Sequence, residues 1–199
     1  MKIYDCFQFF NEENILDLRL NILNKHVDFF VIVESTTDHQ GNEKKLNFDI
    51  NKFKKFKDKI TYIVVDKPPS DILNIYEKDN KEKIESKKIW NAYKREIHQI
   101  EKTKEGIINA NSEDVIIVSD LDEIPNLEKI NLNEIKEKLI FFKQKMYYYK
   151  LNLFYKSLPW FGSKACKKKS LKSFSWLRNL KSKKYSFWRL DTYFNENKL

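Results

Sequence analysis

The sequence predicts an α/β fold with a mainly parallel sheet flanked by helices. Four apolar segments rich in β-branched and aromatic residues show little polar alternation, which is typical of strands buried on both faces. Segments with helical spacing or polar loops separate these strands, as in a sheet covered by helices. The chain has 199 residues, of which 41% are hydrophobic, with only three glycines and four prolines. We therefore expect a single domain over residues 1–199 without a flexible linker.

The predicted elements account for residues 3 to 118 in order. The strands cover residues 3–10, 28–34, 59–65 and 115–118. Helices are predicted over 11–24 and near 50–56, and a polar loop lies at 35–45. A long helix over 79–104 ends at Gly106 and carries one apolar face, formed by Ile89, Tyr93, Ile97 and Ile100.

The pattern after residue 125 is looser and basic. Residues 132–139 predict a short helix, 140–155 are aromatic and strand-like, and 164–184 carry apolar residues at helical spacing. Between residues 138 and 189 there are 15 Lys and Arg and no Asp or Glu. Such a segment could contact an anionic membrane or glycan, whereas a packed aromatic core with solvated lysines is the simpler interpretation. No nucleic acid partner is expected, because no nucleic-acid-binding motif accompanies the charge.

A group of carboxylates follows the fourth strand. Asp120, Asp122 and Glu123 come directly after the apolar run, and Pro125 closes the segment. In open α/β sheets, ligands bind beyond the carboxyl ends of the strands. Residues two apart in extended chain point the same way, so Asp120 and Asp122 can face one divalent cation. The alternative is a solvated acidic turn.

Other catalytic arrangements find no support in the sequence. There is no Gly-rich phosphate loop, no Gly-x-Ser-x-Gly segment, and no His or Cys spacing typical of a metal site. The two cysteines lie far apart, which favours a reducing compartment. No apolar run is long enough to span a bilayer and no signal peptide precedes the first strand, so we expect a cytoplasmic protein.

Several segments together resemble glycosyltransferase family 17, which includes the β-1,4-mannosyl-glycoprotein 4-β-N-acetylglucosaminyltransferases. The similarity covers residues 3 to 125 in order and continues less clearly to residue 162. Its segments are Ile3-Tyr-Asp-Cys-Phe-Gln-Phe-Phe-Asn-Glu12, Leu18-Arg-Leu20, Val27-Asp-Phe-Phe-Val-Ile-Val-Glu-Ser35, Gly41 with Lys45-Leu-Asn-Phe48, Arg95-Glu96, Ser119-Asp-Leu-Asp-Glu-Ile-Pro125, Tyr147-Tyr-Tyr149, Leu151-Asn152 and Trp160-Phe-Gly162.

The resemblance implies a GT-A-like (Rossmann-like) fold and an inverting, metal-dependent transfer of a sugar to a glycan acceptor. The implied donor is a UDP-sugar, UDP-GlcNAc in known members, and the implied cation is Mn²⁺ or Mg²⁺. Asp120 and Asp122 would be the acids of the DxD motif, with Asp122 the more direct metal ligand. Glu34 and Arg95 are further candidates for donor binding. Glu123 and Asp191 are candidates for the general base that inversion requires.

The implied division places the nucleotide-sugar-binding half at 1–125 and the acceptor-side half at 126–199. Two features depart from the family. We expect no N-terminal membrane anchor of the kind found in the eukaryotic members, and we expect the family pattern to continue beyond the segment 188–194. A second hypothesis is therefore a non-catalytic relative that binds a glycan or an anionic surface. A nucleotidyltransferase using the same acidic metal chemistry is a further alternative.

Overall fold

A six-stranded mixed sheet organises the computed structural model, which describes residues 1–132, 134, 136–147, 149, 152–156 and 159–181. The strands are β1 (Ile3–Gln8), β2 (Phe29–Ser35), β3 (Ile60–Val65), β4 (Val115–Val118), β5 (Leu139–Phe141) and β6 (Lys164–Lys167). The α-helices are α1 (Glu13–Leu23), α2 (Lys81–Lys102) and α3 (Phe174–Asn179). The predicted α/β class is confirmed, and the four strands predicted up to residue 118 are present.

The strand order is β3-β2-β1-β4-β6-β5. β1 pairs in parallel with β2 and with β4, and β2 pairs in parallel with β3. β6 is antiparallel to both of its neighbours, β4 and β5. Strands from both predicted halves of the chain therefore contribute to one sheet.

Each face of the sheet carries its own hydrophobic core. Along β4, Val115 and Ile117 pack on one face, and Ile116 and Val118 pack on the other. The first face is covered by α1 and by a 3₁₀ helix over Ile50–Lys59. The second face is covered by α2 and α3. Burial on both faces explains why β4 has no polar alternation.

The predicted apolar face of α2 is only half buried. Ile100 is 2% exposed, but Ile89 is 71% exposed and Tyr93 is 45% exposed. A helix of 22 residues is about 33 Å long. A six-residue strand such as β3 is about 20 Å long. Because α2 follows β3, it starts at the carboxyl edge of the sheet. Since the helix is longer than the strands, its first turns extend beyond that edge.

The C-terminal part differs from the sequence prediction. In the predicted helix 132–139, none of the described residues is helical, and the segment ends in β5. Of the strand-like segment 140–155, the described residues contribute the end of β5 and isolated bridges. Among the described residues of the predicted helical segment 164–184, α3 is the α-helix, and residues 164–167 form β6 instead. Ala165 and Cys166 are buried against β4, so strand pairing overrides the local helical pattern.

Candidate functional site

A cavity of about 710 Å³ opens at the carboxyl ends of β1 and β4. The chain leaves β1 toward β2 and β3 on one side, whereas β4 lies on its other side. This reversal of strand order marks the crevice where ligands bind in open α/β sheets. The described lining residues are Gln8, Phe9, Phe10, Glu12, Ile15, Thr37, Asp38, His39, Gln40, Lys44, Glu96, Gln99, Asp120, Leu121, Asp122 and Arg178.

The cavity wall is acidic in a chain whose formal net charge is +9. Among the described residues that line it, five carry carboxylates and two carry basic side chains, a formal charge of −3 with His39 neutral. The acids are Glu12, Asp38, Glu96, Asp120 and Asp122, and the bases are Lys44 and Arg178. Such a cavity repels a lone anion and attracts a cation, or an anion that arrives with one.

Asp120 is paired with an arginine from α3. Arg178 Nε donates to Asp120 Oδ1 at 2.8 Å, and Arg178 Nη2 donates to Oδ2 at 3.0 Å. The remaining terminal nitrogen, Nη1, lies 2.9 Å from Glu96 Oε1 on α2. One guanidinium therefore joins the loop after β4 to the long helix across the cavity wall.

Asp122 lines the same cavity as Asp120, as the predicted alternation requires. Its side chain is exposed, and no donor in the described part of the chain lies within hydrogen-bonding distance of its carboxylate. Leu121 between them is buried and packs in the core below. The two acids thus differ, since Asp120 is neutralised by Arg178 and Asp122 is open.

Glu123 braces the loop after β4. Its Oε2 accepts the Asp120 backbone N–H at 2.9 Å, and its Oε1 accepts Trp160 Nε1–H at 2.7 Å. A side chain at Gly162 would collide with this carboxylate, so the glycine is what lets the two segments approach. Burial raises the pKa of Glu123, and the nearby Asp120 charge adds to the shift. Glu123 is not among the residues that line the cavity.

Arg19 shapes the same loop from below. Its guanidinium is fully buried, binds both carboxylate oxygens of Asp5 in β1, and donates to Ser119 Oγ at 2.6 Å. Its Nη1 reaches the carbonyl oxygens of Asp120 at 2.9 Å and Leu121 at 3.0 Å. The backbone that carries Asp120 and Asp122 is therefore fixed by a charged group in the core.

Glu34 lies behind the cavity wall. Its carboxylate is fully buried and accepts from Lys44 Nζ at 2.5 Å and Tyr62 Oη at 2.9 Å. It also accepts the backbone N–H groups of Asn47 and Phe48. Burial raises the pKa of Tyr62, and its hydrogen bond to Glu34 contributes. Glu34 thus anchors the loop after β2 and does not reach the cavity.

Arg95 contacts that loop on its outer side. Its Nη1 donates to the His39 carbonyl oxygen at 3.1 Å, and the guanidinium packs over Gly41. Gly41 has φ of +94°, a conformation that a side chain would strain, and it leaves no room for a Cβ beneath Arg95. Arg95 therefore supports the two cavity-lining residues His39 and Gln40 from outside.

Arg178, Arg19 and Asp5 are not among the site residues predicted from the sequence. Asp191, one of the two predicted bases, lies outside the described residues. A signal for Arg19 was present, because it shares the apolar face of α1 with Leu16, Leu20 and Leu23. A charge at such a position implies a buried partner. Arg178 had no local signal, since it is one of many basic residues in its segment.

Most basic side chains of the described C-terminal part contact acidic side chains, backbone carbonyl oxygens or aromatic rings of the protein. Lys167 and Lys169 both pair with Glu113, and they lower the pKa of Glu113 to about 2. Lys168 donates to backbone carbonyl oxygens. Lys164 is buried, binds two carbonyl oxygens, and has a pKa lowered by burial. These contacts reduce the free positive surface that the sequence suggested for residues 138–189.

Asp120 and Asp122 offer carboxylate oxygens of the kind that a divalent cation binds, if its other ligands come from water or a bound substrate. In the described part of the chain, no group of three or more His, Cys, Asp or Glu is arranged to hold a metal by itself. Mg²⁺ is commonly bound by one or two carboxylates together with substrate phosphates and water. Asp122 supplies one open carboxylate, and Asp120 supplies a second one that Arg178 now shares.

Comparison with known proteins identifies the family of the chain. The family model of glycosyltransferase family 17 matches residues 1–181, which include every strand and α-helix described above. No curated protein and no solved structure matches the chain. None of the helices in the described part is both long and apolar enough to cross a membrane.

Proposed function

The chain belongs to glycosyltransferase family 17, and we propose that it moves a sugar from a UDP-sugar to a glycan acceptor. Family membership supports glycosyl transfer in general. We further propose a GT-A architecture, UDP-GlcNAc as the donor, a Mn²⁺ or Mg²⁺ ion, and inversion at the anomeric carbon. The observation that carries the proposal is the acidic cavity at the carboxyl ends of β1 and β4, with Asp122 open in its wall.

The size and charge of the cavity suit a nucleotide-sugar that binds together with a cation. Its volume of about 710 Å³ lies within the range of small-molecule sites. Because the described lining is formally −3, a diphosphate on its own would be repelled. When a nucleotide-sugar binds with a divalent cation, the cation offsets the charge of the diphosphate and is itself attracted by the carboxylates.

Asp122 and Asp120 are the residues that would hold the cation. When bound, the cation would offset the negative charge that grows on the departing diphosphate. Arg19 and Glu123 would act through the backbone, since they hold the loop that carries both acids. We assign Glu34 and Arg95 a supporting role, because they fix the loop over residues 36–48 rather than line the cavity.

Inversion also requires a base that takes the proton of the attacking hydroxyl. Glu123 and Asp191 stay the predicted candidates. The raised pKa of Glu123 suits a proton acceptor, while its hydrogen bonds to Trp160 and to the Asp120 backbone suit a brace. Glu123→Gln and Asp191→Asn test which residue is the base. Loss of the base should lower kcat and leave donor affinity unchanged, whereas loss of a structural contact should also change donor affinity.

The proposal is tested by donor binding and turnover. Calorimetry should show UDP binding only when Mn²⁺ or Mg²⁺ is present, and UDP-GlcNAc should be hydrolysed or transferred under the same conditions. EDTA and Asp122→Ala should each abolish binding and turnover, because both remove the cation from the cavity.

The matched control is Asp66→Asn. Asp66 follows β3 at the same edge of the sheet, is exposed, and does not line the cavity. This variant should bind UDP and turn over as the unchanged protein does. Turnover that persists both in EDTA and in Asp122→Ala would contradict the proposal.

A further inference from the structure

Arg178 bridges two carboxylates that come from different parts of the cavity wall. It binds Asp120 through Nε and Nη2 at 2.8 and 3.0 Å, and Glu96 through Nη1 at 2.9 Å. A guanidinium carries five N–H groups, so these three contacts leave one N–H on Nη1 and one on Nη2 without a partner among the described residues. Arg178 therefore places a positive charge in the acidic wall of the cavity.

We propose that Arg178 is a transferable cation of the donor site. In the ligand-free site it neutralises Asp120. Once Asp120 binds the divalent cation, the Nε and Nη2 groups of Arg178 turn to a phosphate of the donor, while Nη1 stays on Glu96. This inference rests on the proposed function, and it assigns the diphosphate a protein contact within the described residues.

Electrostatics favours this exchange. A guanidinium and a divalent cation on the same carboxylate repel each other, so binding of the cation at Asp120 weakens the hold on Arg178. The fork of N–H groups that fits a carboxylate also fits a phosphate. Glu96 keeps the released guanidinium at the cavity wall, because its own bond to Arg178 does not involve Asp120.

The movement needs only the side chain of Arg178. Its backbone is held in place, because its carbonyl oxygen accepts from the buried Lys164 Nζ at 2.6 Å. The preceding residue, Leu177, is fully buried in the core under α3. The arginine can therefore rotate between Asp120 and a ligand without a change in the fold.

The test uses the full chain and two titrations. Mn²⁺ alone is titrated first, and binding is followed by the loss of the electron paramagnetic resonance signal of the free ion. UDP is then titrated calorimetrically in the presence of saturating Mn²⁺. Arg178→Gln should bind Mn²⁺ alone about fivefold more tightly, since Asp120 is no longer paired. The same variant should bind UDP with Mn²⁺ at least about tenfold more weakly.

Opposite shifts in the two titrations support the transfer, whereas a purely structural Arg178 would weaken both. Lys44→Gln is the control for charge, because Lys44 lines the same cavity but pairs with Glu34. It should tighten Mn²⁺ binding less than Arg178→Gln does. Unchanged or jointly weakened affinities in Arg178→Gln would overturn the inference.

Arg178→Lys keeps the charge and provides the answer if the glutamine variant does not fold. A lysine lacks the planar fork that lets Arg178 bind both oxygens of Asp120 and one oxygen of Glu96 together. UDP binding should therefore weaken, while Mn²⁺ binding is retained or tightened. Affinities equal to those of the unchanged protein in both titrations would overturn the inference. If the unchanged protein binds no UDP with Mn²⁺, the proposed function itself fails. If it binds UDP and neither variant shifts, only the role of Arg178 fails.

Discussion

Arg19 in α1 and Asp5 in β1 form a bidentate ion pair that is fully enclosed by the core. The Nε–Oδ2 distance is 2.8 Å and the Nη2–Oδ1 distance is 2.6 Å. The remaining N–H groups of Arg19 bind Ser119 and the carbonyl oxygens that follow it. Arg19 thus links the packing of α1 on the sheet to the shape of the loop after β4.

We expect Arg19→Met to lower the free energy of unfolding by about 3–5 kcal/mol, because it leaves Asp5 charged and unpaired in the core. Urea denaturation measures this change. Arg19→Met combined with Asp5→Asn should cost less than Arg19→Met alone, since no uncompensated charge stays buried. The control is Lys52→Met, which removes a lysine from an exposed pair with Glu13 and should leave the denaturation midpoint unchanged. Equal effects of the two methionine variants would contradict this account.

Gly162→Ala should destabilise the loop after β4. The added Cβ would collide with the Glu123 carboxylate and lie 2.5 Å from Trp160 Nε1. Overpacking of this kind costs about 1–3 kcal/mol, which urea denaturation can measure. Combining Gly162→Ala with Glu123→Ala should cost less than the sum of the two single changes, because the main collision is then removed. If the costs of the two changes were strictly additive, the added Cβ at position 162 would not collide with the Glu123 side chain.

The sequence predicted the strands and helices whose residue pattern reflects local spacing or burial on both faces. β4 is the clearest case, since four β-branched residues in a row have no polar face to expose. Two of the five acids that line the cavity, Asp120 and Asp122, were predicted for the same reason, because strand alternation and strand ends are local properties.

The features of the fold and the site that were not predicted depend on contacts between residues distant in sequence. Residues 164–167 form a strand because they pair with β4 and β5, and β4 lies 46 or more residues earlier in the chain. The pairing of Arg178 with Asp120 spans 58 residues and has no local signature. Glu34 also looked like a candidate ligand at a strand end, but the loop folds over it and uses its carboxylate as an anchor.

Substitutions along α2 should separate its buried half from its overhanging half. Ile100→Ala should lower the free energy of unfolding by about 2–5 kcal/mol, because Ile100 is enclosed in the core. Ile89→Ala makes the same chemical change three turns earlier at an exposed position and should cost less than about 0.5 kcal/mol. Urea denaturation of the two variants under one set of conditions measures both values. A large cost at Ile89 would mean that this face is covered in solution.

Protonation of Glu123 should make stability depend on pH. Burial raises the pKa of this carboxyl above its ordinary value of 4.5, so the folded protein binds the proton more tightly than the unfolded chain does. The contribution of Glu123 to stability is therefore fully present below pH 4.5 and is lost as the pH rises through the raised value.

The measurement compares the unfolding free energy of the unchanged protein with that of Glu123→Gln from below pH 4.5 to neutral pH. Glutamine keeps one acceptor oxygen, for the bond from Trp160 or the bond from the Asp120 backbone, so it resembles the protonated carboxyl and does not titrate in this range. The difference between the two proteins should shift against the unchanged protein as pH rises, and then level off. A difference that grows in favour of the unchanged protein would mean that the hydrogen bonds outweigh burial, and that the pKa of Glu123 is lowered.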